Sequence, residues 1–177
     1  MFPAFRRITT KRGDGGGSVL AEDIAVEINE IGLANFWITD ETPARCEEFF
    51  AFDSRPARLE PPPSGTIFRY FVIPPQGDVS TEAYKQAVKQ MFVAMQGSHC
   101  QVDTRRHPAM HTTRTIDYVV LLKGNVSLLL DEGEEIPVRP LDVVIQRGTN
   151  HYWVNRGTEP ALLMGVLLDA TFYGARL

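Results

Sequence analysis

Histidine is the residue type in this sequence that can serve both as a metal ligand and as a proton carrier near neutral pH. The chain has four histidines, and two of them, His111 and His151, lie beside strand-like segments. The first of these segments runs from His111 to Gly124, and the second runs from Pro140 to Asn155. These two segments are therefore the candidate functional region.

Other kinds of site find no support in the sequence. The glycine-rich run 13–17 lacks the Gly-Lys-Ser/Thr ending of a phosphate loop, and it precedes a strand. There is neither a Gly-x-Ser-x-Gly elbow nor a cysteine–histidine nucleophile arrangement. The two cysteines, Cys46 and Cys100, are too few for a disulfide framework, and we expect reduced, buried thiols. His99, beside Cys100, is predicted to be structural or exposed.

Composition and charge narrow the class of protein. The chain has 177 residues, of which 44% are apolar and 23% charged, which fits one globular domain. Its net charge is −4 and it has no basic stripe, so a nucleic-acid partner is not expected. The apolar part of the first ten residues is too short for a signal peptide, and no apolar run reaches the ~18 residues of a membrane helix. We therefore predict a cytoplasmic protein that does not enter a membrane.

Most of the chain has the pattern of short strands separated by turn residues. The strand-like runs are 6–11, 19–27, 33–39, 65–73, 117–123, 126–130, 142–146, 151–155 and 161–168. One helix is predicted over residues 81–95, with Ser80 as its cap. Its apolar residues recur every three or four positions, which predicts a packing face of Tyr84, Val88, Met91, Phe92 and Met95.

The two histidine segments together resemble the two sequence motifs of the cupin superfamily. The first motif reads His-x-His, then Glu, then Gly, and His111, Thr113, Asp117 and Gly124 stand at these places. The second motif is matched by Asp142, Gly148, His151 and Asn155, while Leu141 and Gln146 replace its first Gly and its Pro. The strings T-x-D-Y, Q-R-G-T-N-H and W-x-N are similar to one group of small cupins, some of them described as oxidoreductases of fungal polyketide pathways.

This resemblance implies the fold and the domain plan. We expect an all-β cupin (jelly-roll) β-barrel with an N-terminal strand extension and one helix. Residues 1–177 would form a single domain, in which 1–64 are the strand extension and 105–170 are the barrel core that carries the motifs. Barrels of this kind commonly pair through an outer sheet, so the resemblance also implies a homodimer.

The resemblance also implies a metal site. Cupins hold a metal through three His and one Glu, and here His111, Asp117 and His151 would remain as ligands. Two imidazoles and a carboxylate suit Fe, Zn, Mn or Ni. Six residues of extended chain span about 20 Å, so the backbone must bend between Thr113 and Asp117 for both to reach one ion. Thr113 would hold a bound water or a substrate oxygen, and His107 is an alternative ligand.

Strand parity supplies the predicted substrate pocket. Residues 151, 153 and 155 share a face, so Trp153 is expected to form an aromatic wall beside His151, or to be ordinary core. Phe68 and Tyr70 share parity on their strand and are predicted to close one end of the cavity. Asn155 is expected to tie a turn.

The leading functional hypothesis is a metal-dependent oxidoreductase acting on a small aromatic or polyketide-type molecule in secondary metabolism, with Thr113 and Asp117 as its catalytic residues. Two alternatives remain open. One is a non-redox cupin, such as an isomerase, cyclase or decarboxylase. The other is a metal-free binding or accessory protein, in which His111 and His151 only hydrogen-bond Asp117 and water.

Overall fold

The computed structural model of the chain describes residues 2–46 and 55–172. Within these residues the chain forms ten strands, a short 3-10 helix (Ser98–Cys100) and one α-helix, α1 (Glu82–Ala94). The strands are β1 (Phe5–Arg12), β2 (Ser18–Val26), β3 (Leu33–Thr39), β4 (Thr66–Ile73), β5 (Thr115–Lys123), β6 (Val126–Leu130), β7 (Ile136–Val138), β8 (Val143–Arg147), β9 (His151–Val154) and β10 (Ala161–Asp169). Among the ten strands, β7 alone was not predicted, because it is only three residues long.

Two facing sheets form the barrel. The larger has the strand order β3-β4-β10-β5-β8, and the smaller has the order β7-β6-β9, extended by a bridge between His111 and His151. From β4 onward the chain alternates between them: β4, the His111 bridge, β5, β6 and β7, β8, β9, β10. This alternation is the jelly-roll arrangement of antiparallel strands. The predicted all-β cupin fold is therefore confirmed.

The interior of the barrel is filled from both sheets. Leu121 and Leu163 of the larger sheet are fully buried and belong to one cluster with Val126 and Trp153 of the other. The outer face of the β5–β8 end is less covered than the apolar sequence of β5 predicts. Tyr118 of β5 is 44% exposed, and Val143 and Ile145 of β8 are 63% and 49% exposed.

The N-terminal strands form a separate hairpin. β1 pairs with β2 in an antiparallel two-stranded sheet. Phe5 of this hairpin meets Tyr70 of β4 at 4.9 Å between ring centroids, and Phe36 meets the same ring at 4.5 Å. An aromatic cluster thus joins the hairpin to the outer face of β3 and β4, away from the barrel interior.

Helix α1 closes the barrel on the side of β3 and the loop before His111. Thr81, and not Ser80, caps it, since the Thr81 hydroxyl accepts a hydrogen bond from the Tyr84 N–H at 3.2 Å. Val88, Phe92 and Met95 pack against Leu33 and Ala109, which confirms the predicted face. No helix in the described ranges is both long and apolar enough to cross a bilayer.

Candidate functional site

A largely apolar cavity of about 130 Å³ lies between the two sheets and helix α1. An apolar cavity of roughly 150 Å³ can hold a benzene ring, so this one has room for a small ring or a few waters. Its polar lining side chains come from both predicted segments and from β4: Arg69, His111, Thr113, Asp117, His151 and Tyr152. The cavity therefore brings the histidine segments together inside the barrel.

His111 and His151 face each other across the smaller sheet. Their backbones exchange two N–H···O hydrogen bonds of 3.0 Å each, and their ring centroids are 4.4 Å apart. The two residues are 40 positions apart in the sequence and meet only because β9 returns beside the chain at His111. The jelly-roll pairing thus builds the histidine pair.

Both imidazoles are held in one defined orientation. The Nδ1 of His111 lies 3.0 Å from the Ala109 carbonyl, and the Nδ1 of His151 lies 2.9 Å from the Thr149 carbonyl. A carbonyl accepts and cannot donate, so each Nδ1 carries the hydrogen and each Nε2 keeps its lone pair. Within the described part of the chain, no hydrogen bond reaches either Nε2.

Burial keeps both rings neutral. It lowers the pKa of His111, although the Ala109 carbonyl acts in the opposite direction. It also lowers the pKa of His151 to about 3, and the neighbouring charge of His111 adds to that decrease. Neutral imidazoles with free Nε2 lone pairs are the form in which histidine binds metals.

Asp117 lies on β5, on the larger sheet, and is 6% exposed. Burial raises the pKa of its carboxyl to about 6, while a hydrogen bond from Thr115 and the charge of Arg69 act to lower it. Its Oδ1 has no hydrogen-bond partner among the described residues. An unpartnered buried carboxyl oxygen beside an apolar cavity is costly, and it is the kind of atom that a ligand can satisfy.

Arg69 is the second charged group of the cavity and was not predicted from the sequence. It is 3% exposed, its Nη2 donates to the Arg58 carbonyl at 2.7 Å, and its Nε has no partner in the described part of the chain. Burial lowers its pKa to about 10, against the opposing charge of Asp117. The sequence alone did not reveal it, because an arginine within an apolar strand points outward if its neighbours Phe68 and Tyr70 point inward, as they were predicted to do.

Thr113 lies on the cavity wall where the first motif has its second histidine. Its hydroxyl shares a 2.6 Å hydrogen bond with the hydroxyl of Thr115, and both residues are buried. The backbone bend that the spacing required lies here, since residues 112–114 carry the chain from the smaller sheet to β5. His111, Thr113 and Asp117 consequently line one cavity despite the length of chain between them.

The aromatic residues of the predicted pocket divide between two faces. Trp153 lines the cavity, with its ring 6.2 Å from that of His151. Phe68 and Tyr70 instead lie on the outer face of β4, in the aromatic cluster with the N-terminal hairpin. The physical reason is strand parity: Arg69 and Phe71 point into the cavity, so their neighbours must point outward.

Two further residues of the motif segments have structural roles. Asn155 donates to the Ile73 and Glu159 carbonyls at 2.9 and 2.8 Å and so ties a turn, as expected. His107 is buried outside the cavity lining, where its ring stacks on Tyr152 at 3.9 Å. Tyr152 lines the cavity.

Both cysteines are free thiols. The prediction that both are buried is confirmed for Cys100 and is wrong for Cys46, which is exposed.

The predicted ligands fit a divalent ion incompletely. Two neutral imidazoles with free Nε2 atoms and a carboxylate with an unpartnered oxygen are the right donor set. Among the described residues, however, the group of three candidate ligands whose atoms lie within 4.8 Å of one another is a different one: Glu60, His99 and Cys100. His111 and His151 therefore fit as a pair of ligands, and Asp117 faces them across the same cavity.

The fold is a jelly-roll barrel with a histidine pair at its apolar cavity, and curated relatives of the chain are named cupin-domain-containing oxidoreductases. The cupin-domain-containing oxidoreductase srdD of Neurospora crassa is 46% identical over 63 residues, which are 34% of this chain and 32% of that protein. The cupin-domain-containing oxidoreductase fogC of Aspergillus ruber is 41% identical over 63 residues, covering 34% of this chain and 31% of its own. The resemblance to these small fungal cupins is thereby confirmed.

Further relatives are named after biosynthesis clusters of fungi. The phomopsin biosynthesis cluster protein D of Diaporthe leptostromiformis is 53% identical over 47 residues, or 27% of this chain and 25% of that protein. Each match thus spans about a third or less of the relative's length. No family model matches the chain.

Solved structures of similar shape are cupins as well. A Cupin 2 conserved barrel domain protein from Salinispora arenicola has 18% identity and a TM-score of 0.37, covering 71% of this chain and 92% of its own. An RmlC-like cupin with a double-stranded β-helix fold from Methanocaldococcus jannaschii has 11% identity and a TM-score of 0.40, covering 71% and 94%. At these TM-scores the strand order of the two sheets, and not the superposition, defines the fold.

Proposed function

We propose that this chain is a metal-dependent cupin-type oxidoreductase that acts on a small aromatic or polyketide-type molecule with dioxygen as the oxidant. The observation that carries the proposal is the histidine pair. Both Nδ1 atoms are fixed on backbone carbonyls, which leaves two Nε2 lone pairs at one apolar cavity. The names of the relatives support redox chemistry in a biosynthetic setting.

In this proposal His111 and His151 hold the ion, and Asp117 is the carboxylate of the set. A divalent ion bound there would act as a Lewis acid, and iron would in addition activate dioxygen. The Ala109 and Thr149 carbonyls fix the two rings in place, which is the role that outer hydrogen bonds play at metal sites.

The rest of the cavity would bind and orient the substrate. Its apolar walls, among them Trp153 and Phe92, exclude water and suit a ring or a short carbon skeleton. The Nε of Arg69 is a buried donor that a substrate oxygen could satisfy. Thr113 would place a second substrate oxygen, with its hydroxyl oriented by Thr115.

Metal analysis of the purified full chain tests the proposal. The protein is reconstituted separately with Fe(II), Zn(II), Mn(II) and Ni(II), and bound metal is measured per chain. We expect one equivalent of at least one ion in the parent protein and its loss in both His111→Ala and His151→Ala. The parent protein and every variant carry Cys100→Ser, so that the thiol cannot contribute a ligand.

The control is His107→Asn, which removes a buried histidine outside the cavity and should keep full metal occupancy. Thermal melting of each variant separates loss of metal from loss of fold. Metal retained at full occupancy in His151→Ala would contradict the ligand assignment. Oxygen uptake with small phenols then tests the redox step, and bound metal without any oxygen uptake would favour non-redox chemistry.

A metal-free reaction or binding role is the second candidate. The observation that favours it is that the ligand atoms of His111, Asp117 and His151 do not all lie within 4.8 Å of one another, while the buried carboxyl of Asp117 and the guanidinium of Arg69 line the same cavity. A buried carboxyl with a raised pKa can act as a general acid or base in an isomerase or cyclase. If metal stays far below one equivalent with every ion, and a small apolar ligand still raises the melting temperature, this candidate replaces the first.

A further inference from the structure

A second group of metal-binding side chains lies at the rim of the barrel, and the proposed oxidoreductase reaction does not use it. We name the group Glu60, His99 and Cys100 the rim cluster. Its members come from the loop before β4 and from the short 3-10 helix after α1. The carboxylate, imidazole and sulfur atoms all lie within 4.8 Å of one another.

The distances within the rim cluster resemble the edges of a tetrahedral metal site. The Cys100 Sγ is 3.5 Å from the His99 Nε2. Bonds of about 2.3 Å from zinc to sulfur and about 2.05 Å to nitrogen, at a tetrahedral angle, imply an S···N separation of about 3.6 Å. The Glu60 Oε2 is 2.8 Å from the same Nε2, a hydrogen bond that would open by about 0.5 Å around a metal ion.

The same nitrogen faces both other ligands. In a catalytic relay the two ring nitrogens bind different partners. Here the carboxylate and the thiol both lie next to Nε2, so the imidazole cannot pass a proton from one to the other. An ion placed among the three atoms would instead be shared by all of them. Thiolate, imidazole and carboxylate are together a donor set that suits Zn(II).

Two of the three ligands, Glu60 and Cys100, are positioned by hydrogen bonds from backbone N–H groups. The second oxygen of Glu60, Oε1, accepts a hydrogen bond from the Arg114 N–H at 2.7 Å, which directs Oε2 toward His99. Cys100 is 2% exposed, and its carbonyl accepts from the Thr112 N–H at 2.8 Å. The His99 side chain is 66% exposed, so a fourth position would be open to water.

We propose that the rim cluster is a Zn(II) site, with Glu60, His99 and Cys100 as protein ligands and water in the fourth position. Binding displaces the Cys100 thiol proton into solvent and forms the Zn–S bond. The apolar surroundings and the carboxylate of Glu60, which raise the pKa of this thiol to about 12 in the absence of metal, favour the protonated form until an ion arrives.

The site would hold one wall of the cavity in place. Leu59, next to Glu60, lines the cavity and its N–H donates to the Met95 carbonyl at 2.8 Å. Arg58 holds Arg69 through its carbonyl. An ion that joins Glu60 to Cys100 therefore ties the loop behind Leu59 and Arg69 to the segment that leads into His111.

Cobalt(II) substitution provides the test, because a thiolate ligand gives Co(II) a near-ultraviolet charge-transfer absorption that nitrogen and oxygen ligands do not. The full chain is titrated with Co(II) and then with Zn(II). We expect one equivalent of Co(II) to produce this absorption and Zn(II) to remove it. The absorption should be absent in Cys100→Ser, and the Zn(II) affinity should fall on the order of 100-fold in His99→Gln and Glu60→Gln.

Two controls make the result specific. Cys46→Ser removes the exposed cysteine and should leave the absorption unchanged, and so should His151→Ala, which affects only the cavity. If Cys100→Ser is unstable, His99→Gln takes its place, because a substitution at the exposed His99 should not disturb the fold. Absence of the absorption in the parent protein, its loss in Cys46→Ser, or unchanged Zn(II) affinity in His99→Gln would overturn the rim site while leaving the cavity proposal intact.

Discussion

The cavity and the rim cluster both assemble metal-binding side chains, but they do so in opposite ways. In the cavity, His151 is buried and His111 half-buried, both rings are neutral and fixed by carbonyls, and the ligand atoms of these two residues and Asp117 do not all lie within 4.8 Å of one another. At the rim, Glu60, His99 and Cys100 are already in contact, and His99 remains largely in water. In the interior, the two histidines have a fixed orientation but have lost hydration. At the rim, the three ligands touch one another although His99 stays exposed to water.

The difference teaches that burial and convergence are separate properties of a site. Buried groups respond strongly to charge and to lost partners, because the surrounding dielectric is low. Exposed groups respond weakly until an ion links them. Substitutions in the two regions should therefore change the free energy of unfolding by different amounts, and three comparisons test this.

The largest effect is expected for Arg69→Met in the interior. Removing the guanidinium leaves the carboxylate of Asp117 buried without the opposite charge that lowers its pKa. The two groups interact through their charges and not as a direct ion pair, so we expect a loss of about 2–3 kcal/mol, below the ~3–5 kcal/mol of a broken buried pair. Urea unfolding at neutral pH measures this, and Asp117→Leu in the same chain should restore part of the loss. A change below about 1 kcal/mol would mean that the two groups do not depend on each other.

A smaller effect is expected from the titration of Asp117 in the metal-free protein. Its pKa is raised from 3.8 to about 6 in the folded chain, so its contribution to stability is present at low pH and is lost as the pH rises through 6. Asp117→Asn removes that loss. The variant should therefore gain about 2 kcal/mol relative to the parent between pH 4 and pH 7.

Unfolding curves of the two proteins at several pH values give this difference directly. His107→Asn is a useful reference, because burial lowers the pKa of His107 to about 4 and its pH dependence has the opposite sign. A stability difference between Asp117→Asn and the parent that does not vary with pH would show that the carboxyl is not desolvated.

The smallest effect is expected for His99→Gln at the rim, in protein freed of metal. The His99–Glu60 contact is largely exposed, and exposed ion pairs contribute about 0–1 kcal/mol. The free energy of unfolding should change by less than about 0.5 kcal/mol at neutral pH. Added Zn(II) should stabilise the parent more than the variant, and equal stabilisation of both would remove the contrast with the interior.

Much of the fold could be predicted from the sequence. Alternating apolar residues and turn signals located nine of the strands, and the three-or-four spacing located helix α1 and its packing face. The cap moved by one residue to Thr81, because the Thr81 hydroxyl, and not that of Ser80, reaches the Tyr84 N–H. The short strand β7 offered too few residues for a pattern.

The candidate site could be predicted only in part. The motif spacing pointed to His111, Asp117, His151 and Thr113, and parity pointed to Trp153, all of which line the cavity. The prediction that Phe68 and Tyr70 close one end of the cavity was wrong, because the alternation of a strand does not indicate which of its two faces is inside. Arg69 and the rim cluster were missed because their partners are distant in sequence.

The sequence by itself determined the strands, the helix and the residue types available for chemistry, because these depend on local periodicity and side-chain identity. Tertiary structure alone decided which face of β4 is buried, that the two imidazoles meet at one cavity, and which three ligands are in contact. These outcomes depend on contacts between segments that are distant in the sequence, such as His111 and His151, which lie 40 residues apart. A local pattern carries no information about that pairing.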